Sequence, residues 1–286
     1  MTAIIRSIVT ADAVQLGARI AGNSGDPALV LLHGWPHCGA LYENIMPRLA
    51  KQRYVLAFDL PAVGASHGAP PSAEKAVLAD IVLRGAEALD AKSIVIAGLD
   101  VGGMIAFAAA RDHASRIAGA VVMNTVVPGI APWRKVAADP RIWHFAFHAA
   151  PDLPETLVTG RERSYFDFFI DTLAGDPKAV DESVRAAFAA AYARPEALKA
   201  GFDWYRAFEA DAKRNAERRE IDTPLLYMRG EAGGADAAAM EEHVRGLRDA
   251  GASQIRRKTI PGGEFSPLEA PEELSRALLE FCAQCS

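Results

Sequence analysis

Ser93-Ile94-Val95-Ile96-Ala97-Gly98-Leu99-Asp100-Val101-Gly102-Gly103 decides how this chain is read. Ser93–Ala97 is rich in Val and Ile and predicts a strand buried on both faces. Met104–Ala110 predicts a helix. Between them, small residues flank one polar side chain, which is the pattern of a sharp strand-to-helix bend. Such a bend pushes its central side chain out at the helix N-terminus, where free N–H groups and the helix dipole favour an ionised carboxylate. An ionised carboxylate can attack a carbon bearing a leaving group without a base to activate it. The plainer reading of Asp100 is a helix N-cap.

Working outward, similar apolar runs occur at Ala28–Leu32, Tyr54–Phe58, Ala118–Met123, Pro224–Met228 and Gln254–Ile260. Helical stripes lie between them: Ala73–Leu89, with Val77, Leu78, Ile81 and Val82 on one face, and Ala237–Leu247. The order is βαβαβ, an interruption, then βαβα, which is an α/β sheet with an insertion. The expected division is a core of residues 1–126 and 221–286 with a helical lid at 127–220. That lid holds 14 of the chain's 22 aromatic residues, as suits a roof over an apolar chamber. A small helical subdomain packing its own core would need aromatics too.

The 286 residues carry 31 Lys+Arg and 36 Asp+Glu, a net charge of −5. No basic block marks a nucleic-acid surface, and no apolar run is long enough to span a membrane. Asp12 interrupts what would have to be the apolar centre of a signal peptide, so a cytoplasmic protein is expected. The three cysteines, Cys38, Cys282 and Cys285, read as spare thiols rather than a disulfide framework. Pro70-Pro71 and Ala232–Asp236 read as local loops. The expected partner is a small apolar organic substrate, with the chain a monomer or homodimer. Neither metal nor organic cofactor is expected, because the attacking group is a side chain and no Cys/His ligand spacing occurs.

Two more motifs carry a resemblance. His33-Gly34-Trp35-Pro36 follows ALVLL, and Asp59-Leu60-Pro61-Ala62-Val63-Gly64 follows YVLAF. With the bend at Asp100 they make the chain resemble the α/β-hydrolase superfamily, in particular its Asp-nucleophile branch of epoxide hydrolases and haloalkane dehalogenases. The resemblance implies an α/β-hydrolase fold: a mostly parallel sheet flanked by helices, with an inserted helical cap. It also implies that the backbone N–H groups of Trp35 and Val101 stabilise developing negative charge, and that His33 is a turn residue. The segments Ile142–His148, Leu153–Tyr165 and Phe202–Arg206 look like epoxide hydrolase and fluoroacetate dehalogenase lids. By position, His144 and Tyr205 would donate hydrogen bonds to the leaving atom, while Trp143, Tyr165, Trp204 and Asn124 would line the substrate site. Val101 and Met104 stand where dehalogenases of small haloacids carry arginine, which disfavours such substrates.

The pattern breaks at Thr259–Pro267, where the family's water-activating histidine is replaced by Glu264. The supporting acid is open as well: Asn124 occupies one usual position, and Glu231 or Asp236 could serve from another loop. For Asp236 an N-cap role is favoured. Two carboxyls facing each other should leave one protonated beside one ionised. Three functions remain: an atypical epoxide hydrolase-like enzyme with Asp100 attacking and Glu264 as base, a non-hydrolytic isomerase, lyase or cyclase using the Asp100–Glu264 pair, or a catalytically silent binding protein.

Overall fold

A computed structural model describes residues 4–11, 13–233 and 236–285. Asp12, and Gly234 and Ala235 of the Ala232–Asp236 loop, lie outside the described residues. Eight strands form one sheet: β1 (Ile5–Ala11), β2 (Val14–Ala21), β3 (Ala28–Leu32), β4 (Tyr54–Phe58), β5 (Val95–Leu99), β6 (Gly119–Met123), β7 (Leu225–Gly230) and β8 (Ile255–Ile260). Their order across the sheet is β1-β2-β4-β3-β5-β6-β7-β8. β1 and β2 are antiparallel to each other, and β2 is antiparallel to β4. The remaining neighbours are parallel.

β3, β4, β5 and β6 are buried at every residue, which explains their unbroken apolar sequences. The β1–β2 hairpin was not anticipated. Burial alternates along its outer strand, but apolar Ile8 is on the exposed face and polar Ser7 on the inner one, so the sequence shows no period of two.

The helices are α1 (Met46–Leu49), α2 (Lys75–Ala88), α3 (Val101–Asp112), α4 (Trp133–Ala137), α5 (His144–Ala149), α6 (Leu153–Val158), α7 (Glu162–Leu173), α8 (Glu182–Ala191), α9 (Pro195–Arg206), α10 (Phe208–Ala216), α11 (Ala237–Asp249), α12 (Ser266–Glu269) and α13 (Pro271–Cys282). α4 through α10 fall between β6 and β7. The chain runs from β3 outward to β4, then returns to the other side of β3 as β5. That reversal leaves a crevice at the carboxyl ends of β3 and β5, where open α/β sheets place their ligands. The Trp35 turn follows β3 and the Asp100 bend follows β5, so both stand at that end of the sheet.

Candidate active site

Asp100 begins α3 with φ 53° and ψ −123°, a backbone state that non-glycine residues rarely adopt. Its side chain makes no capping bond to the helix, so the N-cap reading fails. Instead its Oδ2 accepts the Trp35 N–H at 2.8 Å, and the nearby Val101 N–H favours its ionised form. Of the two backbone donors expected to hold developing negative charge, one already holds this carboxylate and the other lies near it.

The turn that delivers Trp35 is braced from below. His33 Nδ1 lies 2.8 Å from the Gly34 carbonyl, and its Nε2 accepts the Leu60 N–H at 2.9 Å. Burial keeps this imidazole neutral, with its pKa pushed down to about 4. Asp59 accepts from Gly39 N at 2.7 Å, Ala65 N at 2.9 Å and the Arg19 guanidinium at 2.9 Å. His33 is a structural residue of the turn, as expected.

Glu264 lies in the loop after β8, its backbone N–H donating to the Leu173 carbonyl at 3.1 Å. No described residue hydrogen-bonds its carboxyl group. Burial, then the charge of Asp100, hold its pKa well above the usual carboxylate range. Burial also lifts Asp100, to about 6, against the stabilising pull of the two backbone N–H groups and the Lys75 ammonium. Of the two carboxyls, Asp100 therefore gives up its proton first and Glu264 keeps its own longer.

A stability consequence follows with a definite sign. Both carboxyls bind protons more tightly folded than unfolded, so the stability they contribute is present at low pH and is lost as pH rises through their folded values. The thermal midpoint is expected to fall as pH rises from about 4, where the unfolded carboxyls ionise, through about 6, where Asp100 ionises in the folded protein. In Glu264→Gln, calorimetry over that range should show a flatter profile.

Tyr205, at the end of α9, is buried and feels the charges of Asp100 and Glu264. Burial and those charges keep its phenol protonated. Its hydroxyl has no hydrogen-bond partner among the described residues. His144 lies 6.0 Å from Tyr205, ring to ring, and burial lowers its pKa to about 4. The two expected donors are thus neighbours. Tyr165 donates to or accepts from His148 Nε2 at 2.8 Å, and its ring stands 5.8 Å from that of Trp35.

Other expected site residues lie elsewhere. Asp236 is exposed and caps α11 through the Ala239 N–H at 2.8 Å, so it is no supporting acid; Glu231 is exposed too. Asn124 is committed to the Glu264 loop: its Nδ2 donates to the Gly263 carbonyl at 3.0 Å and Ser266 Oγ at 2.9 Å, while its Oδ1 accepts the Gly230 N–H at 2.8 Å. It fastens the loop and has no donor left over for a substrate. Trp204 is wholly buried against His33 and Tyr192, which corrects its expected place in the substrate lining. Trp143, 43 % exposed, lies on the outer face against Phe147, Phe168 and Phe169.

Two participants were missed. His148 packs 4.5 Å from Tyr205 and 4.4 Å from Trp35, ring to ring; its spacing of four from His144 was the available signal. Lys75 opens α2 and ends in a buried cluster with Asp211. A lysine in the first turn of an amphipathic helix carries no mark of burial. Among the described residues, no group of three or more His, Cys, Asp or Glu is placed to hold a metal ion, and no helix is long and apolar enough to cross a membrane.

A family described as alpha/beta hydrolase fold matches residues 27–269. A soluble epoxide hydrolase of Corynebacterium sp. (strain C12) is 26% identical over 272 residues, covering 92% of each chain. A fluoroacetate dehalogenase of Burkholderia sp. is 27% identical over 281 residues, covering 92% of this chain and 88% of its own. The crystal structure of Cfl2 from Burkholderia cenocepacia superposes with a TM-score of 0.86 at 27% identity, covering 96% of this chain and 95% of its own.

Proposed function

Because this chain belongs to the alpha/beta hydrolase fold family, and its relatives are hydrolases, we propose that it opens epoxides of small, mainly apolar molecules by attack of Asp100 on carbon, with Glu264 in place of a histidine. Residues 127–220 act as a cap over the reaction. The observation that carries this reading is the Asp100 carboxylate held on its bend by the Trp35 N–H, with the buried Glu264 carboxyl and the Tyr205 phenol within reach of its charge.

The proton inventory closes over one turnover. An Asp100 oxygen bonds to the epoxide carbon as the ring C–O bond breaks, and the leaving alkoxide takes a proton from Tyr205. Tyr205 regains one from Glu264. Esterification removes the charge of Asp100, and Glu264 is now ionised. A carboxylate whose proton affinity burial has raised is a better base for water than an ordinary one. Glu264 takes a proton from water as the oxygen adds to the ester carbon, and the oxyanion is held by the N–H groups of Trp35 and Val101. Collapse expels the diol alkoxide, which picks up a proton from Glu264. The new Asp100 acid passes its own proton to Glu264, restoring the resting pair.

A stored proton suits an oxygen leaving group, since a departing halide needs none. The pair also suits proton exchange without an ester, which is the isomerase reading. Incubation with a panel of aliphatic and aryl epoxides separates the two. Diol formation supports hydrolysis, while an equal-mass product with no Asp100 adduct supports isomerisation. Diol formation is expected to rise through about pH 6, as Asp100 ionises, and to fall again at higher pH, as resting Glu264 loses its proton. A flat profile would contradict the shared-proton scheme.

A further inference from the structure

Lys75 is a buried cation with no part in the chemistry above. Its backbone N–H donates to Asp211 Oδ1 at 2.9 Å, and its ammonium donates to Asp211 Oδ2 at 2.7 Å and to the Trp204 carbonyl at 2.6 Å. The ammonium also sits 4.7 Å from the centre of the Phe208 ring. Both members of the ion pair are 3 % exposed. Lys75 belongs to the sheet-flanking helix α2, whereas Trp204, Phe208 and Asp211 belong to α9 and α10 of the cap. A buried pair is weak evidence for net stability, because desolvation offsets much of the attraction. Its geometry suggests another use: the accepting carbonyl is that of the residue immediately before Tyr205.

We propose that Lys75 is a positioning residue, its ammonium holding the Trp204–Tyr205 backbone over the nucleophile while lending positive charge to Asp100. This rests on the reading of Asp100 as the attacking group. The groups facing Asp100 are the N–H groups of Trp35 and Val101, Lys75 from α2, Tyr205 from α9, Tyr192 from the turn after α8, and Glu264 from the loop after β8. Of these Lys75 alone is cationic, and it stabilises the ionised form of Asp100. Asp211 and Glu74 face Lys75 in turn.

Lys75→Met alone would strand the buried Asp211 carboxylate, so the informative variant is Lys75→Met/Asp211→Leu, compared with Lys75→Arg and the parent. The readout is the rate of covalent adduct formation on Asp100 with an excess of a reactive epoxide, caught by acid quench before the ester is hydrolysed and followed by whole-protein mass spectrometry across pH. In the double variant the adduct is expected to form at least about tenfold more slowly. The ascending limb, near pH 6 in the parent, should move up by roughly half a unit or more. Lys75→Arg keeps the charge but not the shape, and should be slower with its limb in place. A double variant with rate and limb unchanged overturns the proposal. So does one that is slower with an unmoved limb, which would make Lys75 a packing residue. If the acid-quenched parent shows no adduct at any time in its first turnover, it is the reading of Asp100 that fails.

Discussion

Glu264→Gln is expected to turn the enzyme into a trap. The amide has nearly the shape of the carboxylic acid, so the crevice and the Asn124-fastened loop should survive. It cannot take a proton from water. Asp100 can still attack, because its backbone donors and Lys75 are untouched. Tyr205 still protonates the alkoxide and regains its proton from solvent instead of Glu264, so the ester forms more slowly than in the parent. The ester should therefore accumulate, visible as the mass of one substrate on the peptide containing Asp100. Steady-state diol formation should fall by about 10²–10⁴-fold, the usual contribution of a positioned base. Undiminished turnover in this variant would remove Glu264 from the mechanism.

Gly98→Ala is expected to have a large effect on folding. A Cβ at Gly98 would collide with the backbone of Gly102 and Gly103, and one at Gly102 would collide with the carbonyls of Leu32 and His33. These are main-chain atoms of the Asp100 bend and of β3, so no side chain can swing aside. The bend already carries the strained backbone of Asp100. Relief requires separating β5 from α3, or α3 from β3, and the cost should be roughly 3 kcal/mol or more. The thermal midpoint should drop by several degrees. A midpoint unchanged from the parent would mean that the bend has slack that the close contacts deny.

Much of this arrangement is legible in the sequence because it rests on local signals. Ala28–Leu32 and Tyr54–Phe58 coincide with β3 and β4, since strands buried on both faces show as unbroken apolar runs. The run at Ser93–Ala97 is displaced: β5 extends to Leu99, up to the bend itself. Glycines flanking one acid announce that bend, because a side chain cannot fit where backbones touch. What stays hidden depends on partners distant in the chain. Nothing near Lys75 announces Asp211, which lies in the insert, and nothing near Asn124 announces that its amide clasps Gly263 and Ser266. Trp204 and Tyr205 are adjacent aromatics, yet consecutive residues on a helix point in different directions, so one packs under the turn and the other faces the carboxyls. The absence of histidine at position 264 is plain in the sequence. That burial and the charge of Asp100 raise the pKa of the Glu264 carboxyl emerges only once the loop is placed.

The most direct test is a single turnover in water enriched in oxygen-18, with enzyme in excess over an epoxide. If Asp100 attacks carbon and water then attacks the ester carbonyl, the first diol carries an oxygen that began on the enzyme. That diol should be unlabelled, and the peptide containing Asp100 should gain one heavy oxygen. A labelled first diol with an unlabelled Asp100 would mean that water strikes the substrate directly, contradicting covalent attack by Asp100.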